Sequence, residues 1–128
     1  MIVAFDVDDT LIVPSVAVGF GNDVPNYEMV QIALWHIAMG HTVVIWSGSG
    51  VDWATRWAEK LGLVADNVFI WVKERVIEGD LVNDNYGNPM VDIAYDDMEV
   101  DLAKVNIRVK RINNSVSRAV WNKTKRAE

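Results

Sequence analysis

Apolar positions gather into five short runs, Ile2–Val7, Thr42–Trp46, Val68–Val72, Val91–Tyr95 and Asn106–Ile112, each five to seven residues long. Such runs are too short for helices, and their Val and Ile content suits strands. IVAFDV and TVVIW are apolar almost without a break, the pattern of strands covered on both faces in a parallel sheet. The last run alternates, Ile107 and Val109 against Arg108 and Lys110, which predicts an edge strand with one wet face.

Helical spacing occupies the gaps. Asn26 follows Pro25 as an N-cap, Gly40 stops the helix, and Val30, Leu34, Ile37 and Ala38 share one face. A second helix is expected from Asp52 to Leu61, capped by Asp52 or Ser49 and ended by Gly62, with Trp53, Trp57 and Leu61 on its buried side. A third, shorter one is expected over Glu99 to Val105. Turn clusters between Glu74 and Pro89 predict irregular chain or a small hairpin. Alternating strands and helices build an α/β Rossmann-like parallel sheet of about five strands with helices on both faces.

The length of 128 residues allows one domain, and 51% hydrophobic with 23% charged residues places it among globular chains. No apolar run approaches a membrane span, and the acids in MIVAFDVDDTLIV argue against a secretory leader, so a cytoplasmic protein with no membrane partner is expected. The absence of cysteine excludes disulfides, thiolate zinc sites and cysteine nucleophiles. The net charge of −6 is unevenly spread: Met1–Ala103 holds 4 basic and 17 acidic residues, Lys104–Glu128 holds 8 basic and 1 acidic. The acidic body argues against general nucleic-acid coating, while the basic end either meets a polyanion or pairs with that body.

Ligands of open α/β sheets bind beyond the carboxyl ends of the strands. There this sequence puts Asp6, Asp8, Asp9 and Thr10 after the first run and Ser47-Gly48-Ser49-Gly50 after the second. Lys73 follows the third, and Asp96-Asp97 the fourth. Several carboxylates in one small volume need a cation, and a hard ion such as Mg²⁺ suits oxygen ligands. A hydroxyl, glycine N–H groups and an ammonium beside them suit a phosphoryl group. If the extended chain continues, Asp6 and Asp8 face the same side, so one could attack phosphorus while the other handles the leaving-group proton.

With those residues in view, VAFDVDDTLI resembles the first motif of the haloacid dehalogenase (HAD) superfamily, VVIWSGSG its second and IAYDD its fourth, in the family's order. The resemblance spans roughly residues 1 to 112, read as the catalytic domain, with 113–128 as a basic tail. It implies a phosphohydrolase in which Asp6 is the nucleophile forming an aspartyl-phosphate and Asp8 the general acid and base. The Asp8 carbonyl would also ligate Mg²⁺, with Asp97 and with Asp96 in or beside the metal's ligands. Thr10 would help hold the loop, and Ser47 with the Gly48 N–H would bind the phosphoryl group. Lys73 is the candidate for the family's third-motif lysine, with Lys60 as fallback. Asp9 stands where many members have Gly.

Only about 15 residues, Leu11 to Pro25, separate the first strand from the helix, and fewer than 20 separate the third and fourth strands. Neither stretch can fold as a domain. The resemblance therefore implies a member without a cap domain, with Pro14–Asp23 as a short flap over an open site. The substrates it allows are a phosphorylated small molecule or a phosphorylated nucleic-acid end. The latter reading, a 3′-phosphatase, follows from likeness to the phosphatase half of phage-type polynucleotide kinase-phosphatases. A binding or regulatory module that keeps the metal with little turnover is the rival from another class.

Asp101 is expected at the surface or assisting the metal, His36 on a helix surface and His41 in a turn. Trp35, Trp46, Trp53, Trp57 and Trp71 lie in or beside apolar runs and are expected in the core or partly buried, whereas Trp121 sits in the basic tail, where it could dock a partner.

Overall fold

The computed structural model describes residues 1–14, 23–73 and 90–112. Its centre is a five-stranded, all-parallel sheet built from β1 (Ile2–Asp6), β4 (Thr42–Trp46), β5 (Val68–Ile70), β6 (Ile93–Asp96) and β7 (Val105–Arg108), in the order β5-β4-β1-β6-β7. A two-residue antiparallel ladder, β2 (Ile12–Val13) with β3 (Val24–Pro25), ties the chain after β1 to the start of α1 (Tyr27–Ala38). The second helix is α2 (Val51–Lys60). This is a small α/β Rossmann-like fold without a cap. Among the described residues no helix is long and apolar enough to cross a membrane.

The alternation of strand side chains sorts the core into two layers. Val3, Phe5, Val43 and Ile45 point to one face, where Met29, Val30 and Ala33 of α1 and Ala54, Trp57 and Ala58 of α2 cover them. Ala4, Val44, Trp46 and Ala94 point to the other, covered by Val91, Leu102 and Ala103 with Trp71 and Val100 packed beside them. Both described helices lie on the first face because the chain steps from β1 to β4 to β5 in one direction, and right-handed crossovers then stay on one side. β6 lies on the far side of β1, and the connection from β6 to β7, with Leu102 and Ala103, covers the opposite face.

Several expectations are met. Asn26 caps α1, its side chain accepting from the Met29 N–H at 3.4 Å. Gly40 and Gly62 end the two helices at φ +80° and +72°, a region that favours glycine. The last strand is an edge as expected, but all four of its residues are exposed, so it is wet on both faces rather than one.

Others are corrected. The third helix does not form over Glu99–Val105. Asn106 there accepts the Leu102 and Ala103 N–H groups at 2.9 and 3.0 Å and donates to the Ala103 carbonyl at 2.8 Å, a side-chain loop clasp in place of helical bonds. The last strand is Val105–Arg108 rather than Asn106–Ile112, and β6 runs to Asp96 rather than Tyr95. The buried face of α1 is Met29, Val30, Ala33 and His36, so Leu34, Trp35 and Ala38 turn outward. Neither Asp52 nor Ser49 caps α2: Gly50 occupies the N-cap and no side chain accepts there. Glu74–Pro89 and the tail 113–128, Trp121 included, lie outside the described residues, as does the flap apart from Pro14 and Asp23.

Candidate active site

Strand order decides where a site can form. The connections leaving β1 and β6 go to opposite faces, so a crevice opens beyond the carboxyl ends of these neighbours. Their register pairs Phe5 with Tyr95, and one step further Asp6 and Asp96 end the two strands side by side. Asp97 follows at once. All three carboxyl groups are buried, and a ligand oxygen from each lies within 4.8 Å of the others.

Lys73, after β5, reaches across the second face to this cluster. Its Nζ donates to Asp6 Oδ1 at 2.9 Å and to Asp96 Oδ2 at 2.6 Å, with only 14% of its side chain exposed. Arg111, after β7, donates from Nε to Asp97 Oδ2 at 2.8 Å. Asp96 is further oriented by the Met98 N–H, 2.9 Å from Oδ1. Three acids thus share two cations, and Arg111 Nε also stands 3.9 Å from Asp9 Oδ2. Burial pushes the Asp6 carboxyl up to about 7; Lys73 opposes that rise and Asp96 adds to it. Burial alone would lower the Lys73 ammonium, but Asp6 and Asp96 outweigh it and raise it above the ordinary lysine value.

The strand stops at Asp6, so Asp8 does not continue the alternation. Leu11 and Ile12 fold back onto the Val7 carbonyl at 3.0 and 3.1 Å, and Asp9 adopts φ +61° between them. An Asp tolerates that left-handed conformation better than most residues, which accounts for an acid at a position suited to glycine. The turn presents the Asp8 carboxylate to the β4–α2 corner. There Oδ2 accepts from Ser47 Oγ at 3.5 Å and Ser49 Oγ at 3.4 Å, and Oδ1 accepts from the Trp53 indole at 3.3 Å. The expectation that Asp6 and Asp8 face one side as alternate strand residues is therefore corrected: the Asp8 side chain stands outside the three-carboxylate group.

Ser47 is buried at the end of β4, where its Oγ also accepts the Ser49 N–H at 3.0 Å. Gly48 is exposed in the following turn, with nothing within 4 Å of where a Cβ would stand. Gly48 and Lys73 line a cleft of about 470 Å³ with Met98, Glu99, Val100, Asp101 and Leu102. Thr10 is fully buried; among the described residues its hydroxyl has no hydrogen-bond partner, and its contribution to the loop is the N–H to the Val7 carbonyl at 3.3 Å. Lys60, the alternative lysine, sits over the Trp57 ring at 5.0 Å.

Sequence reasoning missed Trp53 and Arg111 as parts of this rim, and placed Ser49 there only as one residue of the Ser-Gly-Ser-Gly turn. Trp53 reads as core by its helical spacing, and only its place one turn beyond Ser-Gly-Ser-Gly hints at the strand ends. Arg111 reads as one more charge of the basic end. His36, expected on a helix surface, is instead buried, with Nδ1 2.9 Å from His41 Nδ1 and Nε2 3.5 Å from the Tyr95 hydroxyl. No protein-family model, curated protein or solved structure matches the chain.

Proposed function

We propose that this chain is a Mg²⁺-dependent phosphohydrolase of HAD type, acting in the cytoplasm on phosphomonoesters of small molecules or nucleic-acid ends. The observation that carries the reading is the convergence of the Asp6, Asp96 and Asp97 carboxylates at the β1/β6 crevice, two of them on Lys73. Three carboxylate oxygens within 4.8 Å fit a hard divalent ion that completes its shell with water and substrate oxygens. When bound, Mg²⁺ supplies charge neutralisation for the phosphoryl oxygens.

The chain's own groups account for the rest. An Asp6 oxygen attacks phosphorus, the bond to the leaving oxygen breaks, and the Asp8 carboxyl gives its proton to that oxygen, releasing the alcohol. The Asp8 carboxylate then takes a proton from water as it attacks the phosphorus of the aspartyl-phosphate. Breaking the bond to Asp6 releases inorganic phosphate and restores both acids. Lys73 holds Asp6 and faces the developing charge, and Ser47 and the Gly48 N–H supply donors to the equatorial oxygens.

The test measures turnover of 4-nitrophenyl phosphate with and without Mg²⁺. Asp6→Asn is expected to lose at least about 1,000-fold in rate with unchanged circular dichroism, because the nucleophile is gone. Activity that survives this substitution removes the covalent mechanism, and activity that survives chelation removes the metal. Magnesium binding with no turnover of a panel of phosphorylated metabolites and 3′- or 5′-phosphorylated oligonucleotides would favour a binding module instead.

A further inference from the structure

Asp8 lies outside the carboxylate cluster, and its side-chain hydrogen bonds come from a single corner of the fold, Ser47, Ser49 and Trp53. Ser47 and Ser49 hold one oxygen, but both bonds are long at 3.5 and 3.4 Å, and a hydroxyl can rotate to other acceptors. The indole N–H of Trp53 cannot. It is a donor with no acceptor capacity, fixed to a planar ring, and it reaches Oδ1 at 3.3 Å. The ring is itself braced edge-on against Trp57 at 6.1 Å, and Trp57 is buried in the α2 layer of the core. A rigid donor anchored in the core therefore sets the plane of a carboxyl group that stands on a turn.

We infer that Trp53 is a positioning residue for Asp8: its indole N–H holds the carboxyl group in the orientation from which the proton passes to the leaving oxygen. The inference rests on the proposed role of Asp8 as general acid. Trp53 touches neither phosphorus nor the ion site; it acts only through Asp8. Occupying Oδ1 with the indole leaves Oδ2, on the side of the two serine hydroxyls, as the oxygen that carries the transferable proton. A phenylalanine keeps the ring against Trp57 and removes the donor, so Trp53→Phe isolates the hydrogen bond from the packing.

Two measurements test this. The first compares kcat/KM for an alkyl phosphate with that for 4-nitrophenyl phosphate. This parameter reports events up to leaving-group departure, and only the alkyl oxide needs a proton to leave. Trp53→Phe is expected to lower the alkyl value about 10-fold more than the aryl value, and to add nothing in an Asp8→Asn background. Equal losses on both esters, or additive losses in the double variant, overturn the inference. The second follows the indole N–H resonance assigned by its disappearance in Trp53→Phe. Asp8→Ala is expected to shift that resonance and speed its exchange with solvent; an indifferent resonance overturns the contact itself. Failure of either with Asp6→Asn still inactive removes the Trp53 role alone, whereas turnover that survives Asp6→Asn removes the reading beneath it.

Discussion

At the carboxyl ends of β1 and β6 the fold buries Asp6, Asp96 and Asp97 against two cations, whereas behind β1 it buries His36 against His41 and the Tyr95 phenol. Both places hide titratable groups, and only one of them crowds more acids than cations. The histidine pair shares a hydrogen bond at 2.9 Å, and His36 lies edge-on to Phe5, itself stacked on Tyr95 at 4.8 Å. Its polar needs are met inside the aromatic layer, with nothing further to bind. Three acids crowd against two cations at a crevice where strand connections part. Buried polarity by itself is thus a matter of folding. Acids in excess of their cations at an open strand end are the arrangement on which the proposed ion site rests.

The comparison is broken most severely by removing the cation that two of the acids share. Lys73→Met should lower turnover of an aryl phosphate by about 100-fold, the usual effect of deleting one preorganised donor. It should also cost the ion-free protein about 3 kcal/mol in urea unfolding at pH 8, because two buried carboxylates lose their partner. Added Mg²⁺ should return part of that stability; none returned would argue that no ion enters the cluster. His36→Leu, by contrast, should leave kcat/KM within about twofold, as it touches no reacting group.

Acid titration should sharpen the contrast, because the two sites respond with opposite sign. Burial, then the neighbouring His41, holds the His36 imidazole below its ordinary value of 6.5. The folded state then binds fewer protons than the unfolded chain, and the stability His36 contributes above pH 6.5 is lost as the pH falls through its folded value. Asp6 is raised from 3.8 to about 7, so the ion-free fold holds a proton that the unfolded chain releases. Its contribution is complete below pH 3.8 and is lost as the pH rises through about 7. With a chelator present, unfolding free energies between pH 4 and 8 should therefore slope upward with pH in Asp6→Asn and less steeply, or downward, in His36→Leu. Identical slopes would contradict the assignment.

The smallest effect belongs to Arg111, half exposed beside Asp97. Arg111→Ala should leave the thermal unfolding midpoint almost unchanged, as solvent screens such pairs. A larger loss in thermal unfolding would mean that the Asp97 end of the cluster is more enclosed than its exposed partner indicates.

Much of this was legible before any coordinates. Unbroken apolar runs such as TVVIW can only be satisfied between two covering layers, so the buried parallel strands follow from composition at each position. Acids placed directly after such runs must emerge at strand ends, which is why Asp6, Asp96, Asp97, Ser47 and Lys73 were identifiable as candidates. The direction of Asp8 was not legible, because period 2 holds only while the chain stays extended and the fold-back onto Val7 ends it. Nor was the outward turn of Trp35 in place of His36, since shifting a helix by one position costs little locally and is decided by what Phe5 and Tyr95 offer across the layer.

The linear order of residues thus determined which segments are strands, which acids stand at their ends and that no cap-sized insertion lies among them. Those properties depend on local periodicity and chain length alone. Tertiary structure decided which ends are neighbours, through the order β5-β4-β1-β6-β7, and so which carboxylates share a lysine and which one is handed to an indole. Distances between groups up to 90 residues apart depend on register and crossover, and these arise only when the whole sheet has closed its core.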